Sequence, residues 1–134
     1  MAGYSGKALV QKIGLKAGHA LALAGEPDGF IKELAPLPDD VIVVTGGNRT
    51  LDCVMLFASE AHGLEARIVR WAKRLAPAGM LWVAWPKKAS KVATDVTEAM
   101  VRKTGLDAGL VDVKICAVND IWSGLKFVRR LKDR

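Results

Sequence analysis

The stretch "LDCVMLFASEAHGLEARIVRWAKRLAPAGMLWVAW", Leu51 to Trp85, decides the fold class of this chain. It opens with the apolar run Leu51 to Ser59, which is typical of a strand buried on both faces. In His62 to Leu75, apolar residues recur at steps of four, three and four, which predicts an amphipathic helix. "APAG" ends that helix, and the apolar run Met80 to Trp85 predicts a second strand. A strand, a helix and a strand in this order favour a parallel βαβ unit.

The N-terminal part of the chain predicts shorter elements. Ser5 to Ile13 has the spacing of a short amphipathic helix that ends at Gly14. His19 to Gly25 is a small-residue strand, and Asp40 to Thr45 predicts another strand that is apolar on both faces and lies inside the sheet. Between these strands, "IKELAPLP" leaves room for only a brief helical turn before its prolines.

The C-terminal part predicts a helix and then a hairpin. The helix begins near Thr94 or Asp95, because Asp95 and Glu98 have the spacing of a capping box, and it stops at Gly105. Leu110 to Val118 alternates apolar and polar residues, and "GLKFVRR" follows after a turn. These two segments predict an antiparallel hairpin at the edge of the sheet.

The alternation of strands and helices, closed by a hairpin, predicts an α/β fold. We expect a three-layer, Rossmann-like, mostly parallel sheet with helices on both faces and a C-terminal antiparallel hairpin. The sequence has no internal repeat and no linker. Residues 1–134 are therefore expected to form a single domain.

Composition indicates a soluble cytoplasmic protein. The chain is 51% hydrophobic and 25% charged, as in globular domains. Its longest apolar runs fall short of the roughly 20 residues that cross a bilayer, and its N-terminus lacks the apolar segment of a secretory signal. Cys53 and Cys116 each lie in an apolar run, so we expect them to be reduced, buried thiols.

The net charge of +6 favours an anionic partner. Basic residues are concentrated in "LKFVRRLKDR", Leu125 to Arg134. Such a tail can bind nucleic acid, but no helix-turn-helix, zinc-finger or aromatic-stacking motif accompanies it. We therefore favour a solvated end over a nucleic-acid interface.

The order of these parts resembles the class I S-adenosylmethionine-dependent methyltransferase fold. The similar segments are "LKAGHALALAG" (Leu15 to Gly25), "LDCVMLFAS", "LAPAGMLWVAWPK" and the closing hairpin. "WVAWPKKAS", "VATD", "GLVDVKICAV" and "WSGLKFVRR" more closely resemble a small uncharacterised bacterial family, a domain of unknown function, over almost the full chain. That second resemblance implies a truncated methyltransferase-like fold and brings no established activity.

The methyltransferase resemblance implies a glycine-rich cofactor loop after the first strand and an acidic residue, which holds the ribose hydroxyls, after the second. Here the loop is "GEPDG", and Thr45, followed by Gly46 and Gly47, stands where the acid is expected. The gap to the next strand is about seven residues, shorter than the dozen or more of a parallel crossover. Either an extended loop makes the crossing or Asp40 to Thr45 runs antiparallel, and the family's third strand is expected to be missing.

Three lysines form the first candidate ligand site. Lys87, Lys88 and Lys91 follow a central strand and precede a helix, a position where an α/β sheet binds anions such as phosphate or carboxylate. The same pattern is also compatible with a solvated, slightly long loop. Both interpretations stay open at this point.

Gly25, Glu26 and Asp28, in the loop after the first strand, form the second candidate ligand site. "EPDG" is also typical of an ordinary turn, and we favour that interpretation for this loop. His19 and His62 lack a neighbouring nucleophile, and no grouping of His, Cys, Asp and Glu has metal-ligand spacing, so we predict no catalytic residue and no metal site.

The sequence supports three functional hypotheses. The favoured one is a non-catalytic Rossmann-like domain that binds a small anionic ligand or a protein partner, because the fold signals are kept while the cofactor signals are altered. The first alternative is a methyltransferase that holds S-adenosylmethionine in an altered way, completed in an oligomer by a second subunit. The second alternative is a basic accessory protein that binds nucleic acid through its C-terminal charges.

Overall fold

The computed structural model describes residues 8–134, in which six strands form one sheet. The helices and strands, in chain order, are α1 (Leu9–Ile13), β1 (Ala20–Ala24), α2 (Phe30–Leu34), β2 (Ile42–Val43), β3 (Leu51–Phe57), α3 (Leu64–Ala72), β4 (Leu75–Pro86), α4 (Glu98–Asp107), β5 (Leu110–Ala117) and β6 (Trp122–Arg129). Short 3₁₀ turns occupy Lys88–Ser90 and Leu131–Asp133. Ser5, where the first helix is predicted to begin, lies outside the described residues, whereas Gly14 ends α1 in the left-handed conformation as predicted.

The strand order is β2-β1-β3-β4-β6-β5. The first four strands are parallel, while β6 is antiparallel to both β4 and β5. This arrangement confirms the predicted α/β class, the mostly parallel sheet and the C-terminal hairpin. No helix in residues 8–134 is long and apolar enough to cross a membrane.

Each face of the sheet carries its own apolar core beneath a pair of helices. Ile68 of α3 and Val101 of α4 pack with Leu56 and Leu81 on one face. On the other face, Ile13 of α1 and Phe30 and Leu34 of α2 pack around a second group of buried side chains. In that second core, the fully buried Trp82 indole donates a hydrogen bond to the Ile13 carbonyl at 2.9 Å. The predicted three layers are therefore present.

The prediction of a buried strand over Asp40 to Thr45 is wrong. Only Ile42–Val43 forms a strand, at the sheet edge, where Ile42 is 46% and Val43 is 43% exposed. An apolar run does not show how many strands will pair with it. Among residues 8–134, β2 pairs with β1 alone. Because β2 is parallel to β1, residues 44–50 make the crossing to β3 as an extended loop, the first of the two alternatives.

Both predicted ends of α4 also differ in the structure. Asp95 accepts a hydrogen bond from the distant Ala61 amide at 2.7 Å, so it is not a helix cap. Thr97 takes that place and accepts from the Met100 amide at 3.2 Å. Gly105, expected to end the helix, lies inside it. A glycine is required there because an added Cβ would overlap the ring of Phe127.

The two cysteines occupy different environments. Cys53 is fully buried, as predicted, and desolvation raises the pKa of its thiol to about 12. Cys116 is only partly buried, which differs from the expectation, and desolvation raises its pKa as well. Both are free thiols.

Gly105→Ala tests the contact between α4 and β6. Helix propensity alone predicts stabilisation by ~1 kcal/mol for this change. The overlap with Phe127 instead predicts that the free energy of unfolding falls by roughly 1–3 kcal/mol, measured by urea denaturation. The double variant Gly105→Ala, Phe127→Leu is the control and should recover part of the loss, because the smaller side chain makes room. Stabilisation by Gly105→Ala alone would contradict this packing.

Candidate functional site

The strands β1, β3 and β4 all end at one edge of the sheet, which we call the carboxyl edge. The chain leaves β1 toward β2 on one side and then returns to β3 on the other side of β1. The strand order therefore reverses between β1 and β3. In open α/β sheets, ligands bind outside the carboxyl ends of the strands at such a switch point.

At the switch point, Gly25 lies tightly against the end of β3. It has a φ of +68°, and a Cβ at this position would lie 2.5 Å from the Phe57 carbonyl oxygen and 2.9 Å from Nη2 of Arg67. Arg67 reaches this point from α3 and donates to the Phe57 carbonyl at 3.1 Å. Within residues 8–134, its guanidinium makes no other hydrogen bond or ion pair. A half-buried cation with unused donors thus lies at the switch point.

Sequence reasoning missed Arg67. The residue lies among several basic residues on the polar side of α3, and no local pattern distinguishes it from Arg70. Its contact with Phe57 becomes visible only when α3 packs against the sheet.

The loop after β1 presents two carboxylates to solvent. Glu26 and Asp28 are both exposed, and neither forms an ion pair within the described part of the chain. Residues 26–31 enclose a shallow cleft of about 180 Å³. The predicted group of Gly25, Glu26 and Asp28 is therefore together at the carboxyl edge, with Arg67 on its β3 side.

The lysine turn after β4 has a defined backbone. The Lys87 amide donates to the Ile121 carbonyl at 2.8 Å, and the Ser90 hydroxyl donates to the Lys87 carbonyl at 2.6 Å. Lys91 ends the turn with a φ of +61°, a left-handed conformation that is uncommon for a residue other than glycine. These bonds make the turn an ordered part of the carboxyl edge.

Two of the three predicted lysines line a cleft of about 290 Å³, which we call the lysine cleft. Its lining includes Trp85, Lys87, Lys88, Val96, Thr97 and Ser123, but not Lys91. The structure thus separates Lys91 from the other two lysines.

The wall of the lysine cleft is tied to the loop after β3 by two hydrogen bonds. The Thr94 hydroxyl donates to the Ser59 carbonyl at 2.6 Å, and the Asp95 carboxylate accepts from the Ala61 amide at 2.7 Å. The two candidate sites therefore share one edge, on opposite sides of the end of β3, and each lines its own cleft.

Other candidate groups have structural roles or lie apart. Thr45, Gly46 and Gly47 are exposed beyond β2 and supply no carboxylate there. His19 accepts a hydrogen bond from the Lys16 amide, and His62 is exposed at the start of the α3 segment. Residues 8–134 contain no group of three or more His, Cys, Asp or Glu that could hold a metal ion.

Arginines of the basic tail bind backbone carbonyls. Arg129 donates to the Ala72 and Leu75 carbonyls, at and just beyond the end of α3, at 3.0 and 2.8 Å. Arg130 donates to the Leu106 carbonyl at 3.3 Å. Cations at helix C-termini are stabilising, so these two charges have a structural role.

Comparison with known proteins gives a match to structures but not to sequences. No family model matches the chain, and no curated protein matches it. Because no family model matches, the resemblance to an uncharacterised bacterial family stays a prediction.

The chain is similar in structure to methyltransferases. A SAM-dependent methyltransferase from Aquifex aeolicus has a TM-score of 0.60 and 17% identity, covering 89% of this chain and 86% of its own. Aeropyrum pernix fibrillarin with natively bound S-adenosyl-L-methionine has a TM-score of 0.58 and 15% identity, covering 90% and 73%. Magnesium protoporphyrin IX methyltransferase from Synechocystis, with bound SAH, has a TM-score of 0.59 and 14% identity, covering 91% and 78%.

These likenesses show the fold and not the activity, because all three identities are low. The chain has a Rossmann-like fold of the methyltransferase type, in agreement with the sequence-based prediction.

Gly25→Ala tests the close approach at the switch point, and Gly29→Ala is its matched control. Both glycines have a positive φ, so both substitutions should cost roughly 1–2 kcal/mol of stability. Only at Gly25 does the new Cβ meet other atoms, since nothing lies within 4 Å at Gly29. We expect Gly25→Ala to lower the free energy of unfolding by at least ~1 kcal/mol more than Gly29→Ala, measured by urea denaturation. Equal losses would contradict the tight contact with β3.

Proposed function

We propose that this chain is an S-adenosylmethionine-dependent methyltransferase of shortened form, with its cofactor at the switch point. The observation that carries the proposal is the close approach of Gly25 to the end of β3, in a sheet whose strand order reverses between these two strands. Glycine at this position lets the loop after β1 pack directly against the end of β3 and beside Arg67, at the point where an open α/β sheet binds its ligand. The named structural relatives, which include a protein with bound S-adenosyl-L-methionine and another with bound SAH, support this choice of ligand.

The charges around the switch point match one end of this cofactor. Its amino-acid end carries a carboxylate and an ammonium group next to the positive sulfonium. Arg67 has unused donors for the carboxylate, and the carboxylates of Glu26 and Asp28 can attract the two cations. At the ribose end the fit is poorer, because Thr45 supplies no carboxylate for the hydroxyls. We therefore expect affinity to come mainly from the amino-acid end, and the cofactor to bind more weakly than in a site that holds both ends.

A specific observation favours the non-catalytic domain as the second candidate. The end of β2 offers only Thr45 and two exposed glycines, while Lys87 and Lys88 line a formed cleft on the other side of β3. A protein of this kind would bind a small anionic ligand in the lysine cleft and leave the switch point empty. The two candidates therefore differ in their response to S-adenosylmethionine.

A thermal-shift titration with S-adenosylmethionine and its demethylated product separates these candidates. Binding to the native state should raise Tm by roughly 3–6 °C when the ligand is at about ten times its Kd. The double variant Glu26→Gln, Asp28→Asn should bind several-fold more weakly, while Asp133→Asn, which removes a remote exposed carboxylate, should bind like the wild type. No stabilisation of the wild type at millimolar concentration would overturn the methyltransferase proposal.

Transfer itself needs a separate measurement. With a radiolabelled methyl donor and a panel of small acceptors, a methyltransferase should pass label to at least one acceptor above the protein-free rate. Saturable binding of the donor without any transfer would favour a cofactor-binding domain that lacks activity.

A further inference from the structure

We infer that the lysine cleft binds the phosphate group of a small phosphate monoester that carries an apolar, ring-sized body. In a methyltransferase this cleft would be the acceptor site, and to that extent the inference rests on the proposed function. Binding itself depends only on the residues of the cleft, so it can be measured without the cofactor.

The cationic groups of the cleft lack ion-pair partners among residues 8–134. Neither Lys87 nor Lys88 forms an ion pair within residues 8–134. The one acidic residue in the lining, Glu98, is bound by Arg102 at 2.9 Å, and Arg102 also binds Asp112 at 2.9 Å. Arg102 shares its one positive charge between these two carboxylates, and within residues 8–134 neither lysine forms an ion pair with Glu98, so both ammonium groups keep their donors for a ligand at the mouth of the cleft.

The pair of ammonium groups favours phosphate over carboxylate. A phosphate monoester carries a charge of about −1.5 to −2 at pH 7, whereas a carboxylate carries only one negative charge, so two neighbouring ammonium groups pair better with phosphate. Arg102 is committed to its two carboxylates, so lysines are the cations left in this cleft. The hydroxyl of Ser123 and that of Thr97, which uses only an acceptor site to cap α4, can donate to phosphate oxygens.

The inner wall of the cleft limits what the phosphate can be attached to. Trp85 and Val96, which are buried in the core on their other sides, form the apolar floor of the cleft. A volume of about 290 Å³ is at the small end of the range for ligand sites. A single aromatic or aliphatic ring fits this space and chemistry, whereas a free phosphate ion would leave the apolar floor uncovered.

Hydrogen bonds within the protein order the backbone of the lysine turn. Lys91, which lies outside the lining of the cleft, ends the turn in a left-handed conformation. The bonds of Lys87 to Ile121 and of Ser90 to Lys87 hold the turn over the cleft before any ligand arrives. The lysines are therefore presented from an ordered turn.

Isothermal titration of the wild type with phenyl phosphate, inorganic phosphate and benzoate, at one fixed ionic strength and without the methyl donor, tests this inference. Phenyl phosphate should bind saturably at one site, and at least ~5-fold more tightly than either other probe, because only it offers both a phosphate and a ring. Equal binding of phenyl phosphate and inorganic phosphate would indicate a surface ion effect and overturn the inference. So would tighter binding of benzoate, or no saturable binding of phenyl phosphate.

Charge-matched variants locate the site. Lys87→Ala, Lys88→Ala should weaken phenyl phosphate binding by at least ~10-fold. Lys16→Ala, Lys132→Ala removes the same charge from exposed positions outside the cleft and should change binding by less than ~2-fold. Equal weakening by both double variants, or none by the first, would overturn the inference. Lys88→Ala alone is a milder second variant, should the first pair not fold.

Each of the two proposals can be refuted while the other stands. If phenyl phosphate binds and the methyl donor does not, the cleft assignment holds and the methyltransferase proposal falls. If the donor binds and phenyl phosphate does not, the substrate class assigned to the cleft is wrong and the cofactor site stands.

Discussion

Leu21 to Ala24 of β1 pair in parallel with Cys53 to Leu56 of β3, so both strands end at the same edge of the sheet. This pairing brings the loop after β1 against the carbonyl of Phe57 and leaves no room for a side chain at Gly25. It also creates the reversal of strand order, because β2 lies on the opposite side of β1. The candidate cofactor site and the turn after β4 both take their positions from this central pair.

The loop of residues 44–50 determines how the chain crosses from β2 to β3. A segment of this length crosses from β2 to β3 without a helix or an additional strand. As a result, β2 is a two-residue edge strand with exposed apolar side chains, and no acidic side chain follows it. A cofactor bound here must depend on Gly25, the carboxylates after it and Arg67. We therefore expect a cofactor site that lacks the acidic contact to the ribose but keeps its contacts to the amino-acid end.

The elements with local signals could be predicted from the sequence, and those that depend on distant partners could not. The helical periodicity up to Trp71, the apolar strands β3 and β4 and the glycine that ends α1 act over a few residues and are confirmed. The predicted end of the helix is wrong, because α3 ends at Ala72 and Leu75 with "APAG" forms the start of β4, where Leu75 pairs with Leu51. Asp95 has the spacing of a helix cap but accepts from the Ala61 amide instead, because a distant donor competes for the same carboxylate. Gly105 has the residue type that commonly ends a helix, but it lies within α4. Glycine is needed there because the ring of Phe127 on β6 leaves no room for a Cβ. For the candidate sites, the sequence located the two loops but not Arg67, whose role depends on packing between α3 and the sheet.

The proposed function depends on binding of S-adenosylmethionine or its product at the switch point beside Gly25. It is tested most directly by following the backbone amides and arginine Nε–H signals of the ¹⁵N-labelled wild-type protein during titration with the unreactive demethylated product. Saturable shifts should be largest at Gly25, Glu26 and the Arg67 side chain. An unchanged spectrum at millimolar ligand, or shifts confined to the basic tail from Leu125 to Arg134, would contradict the claim.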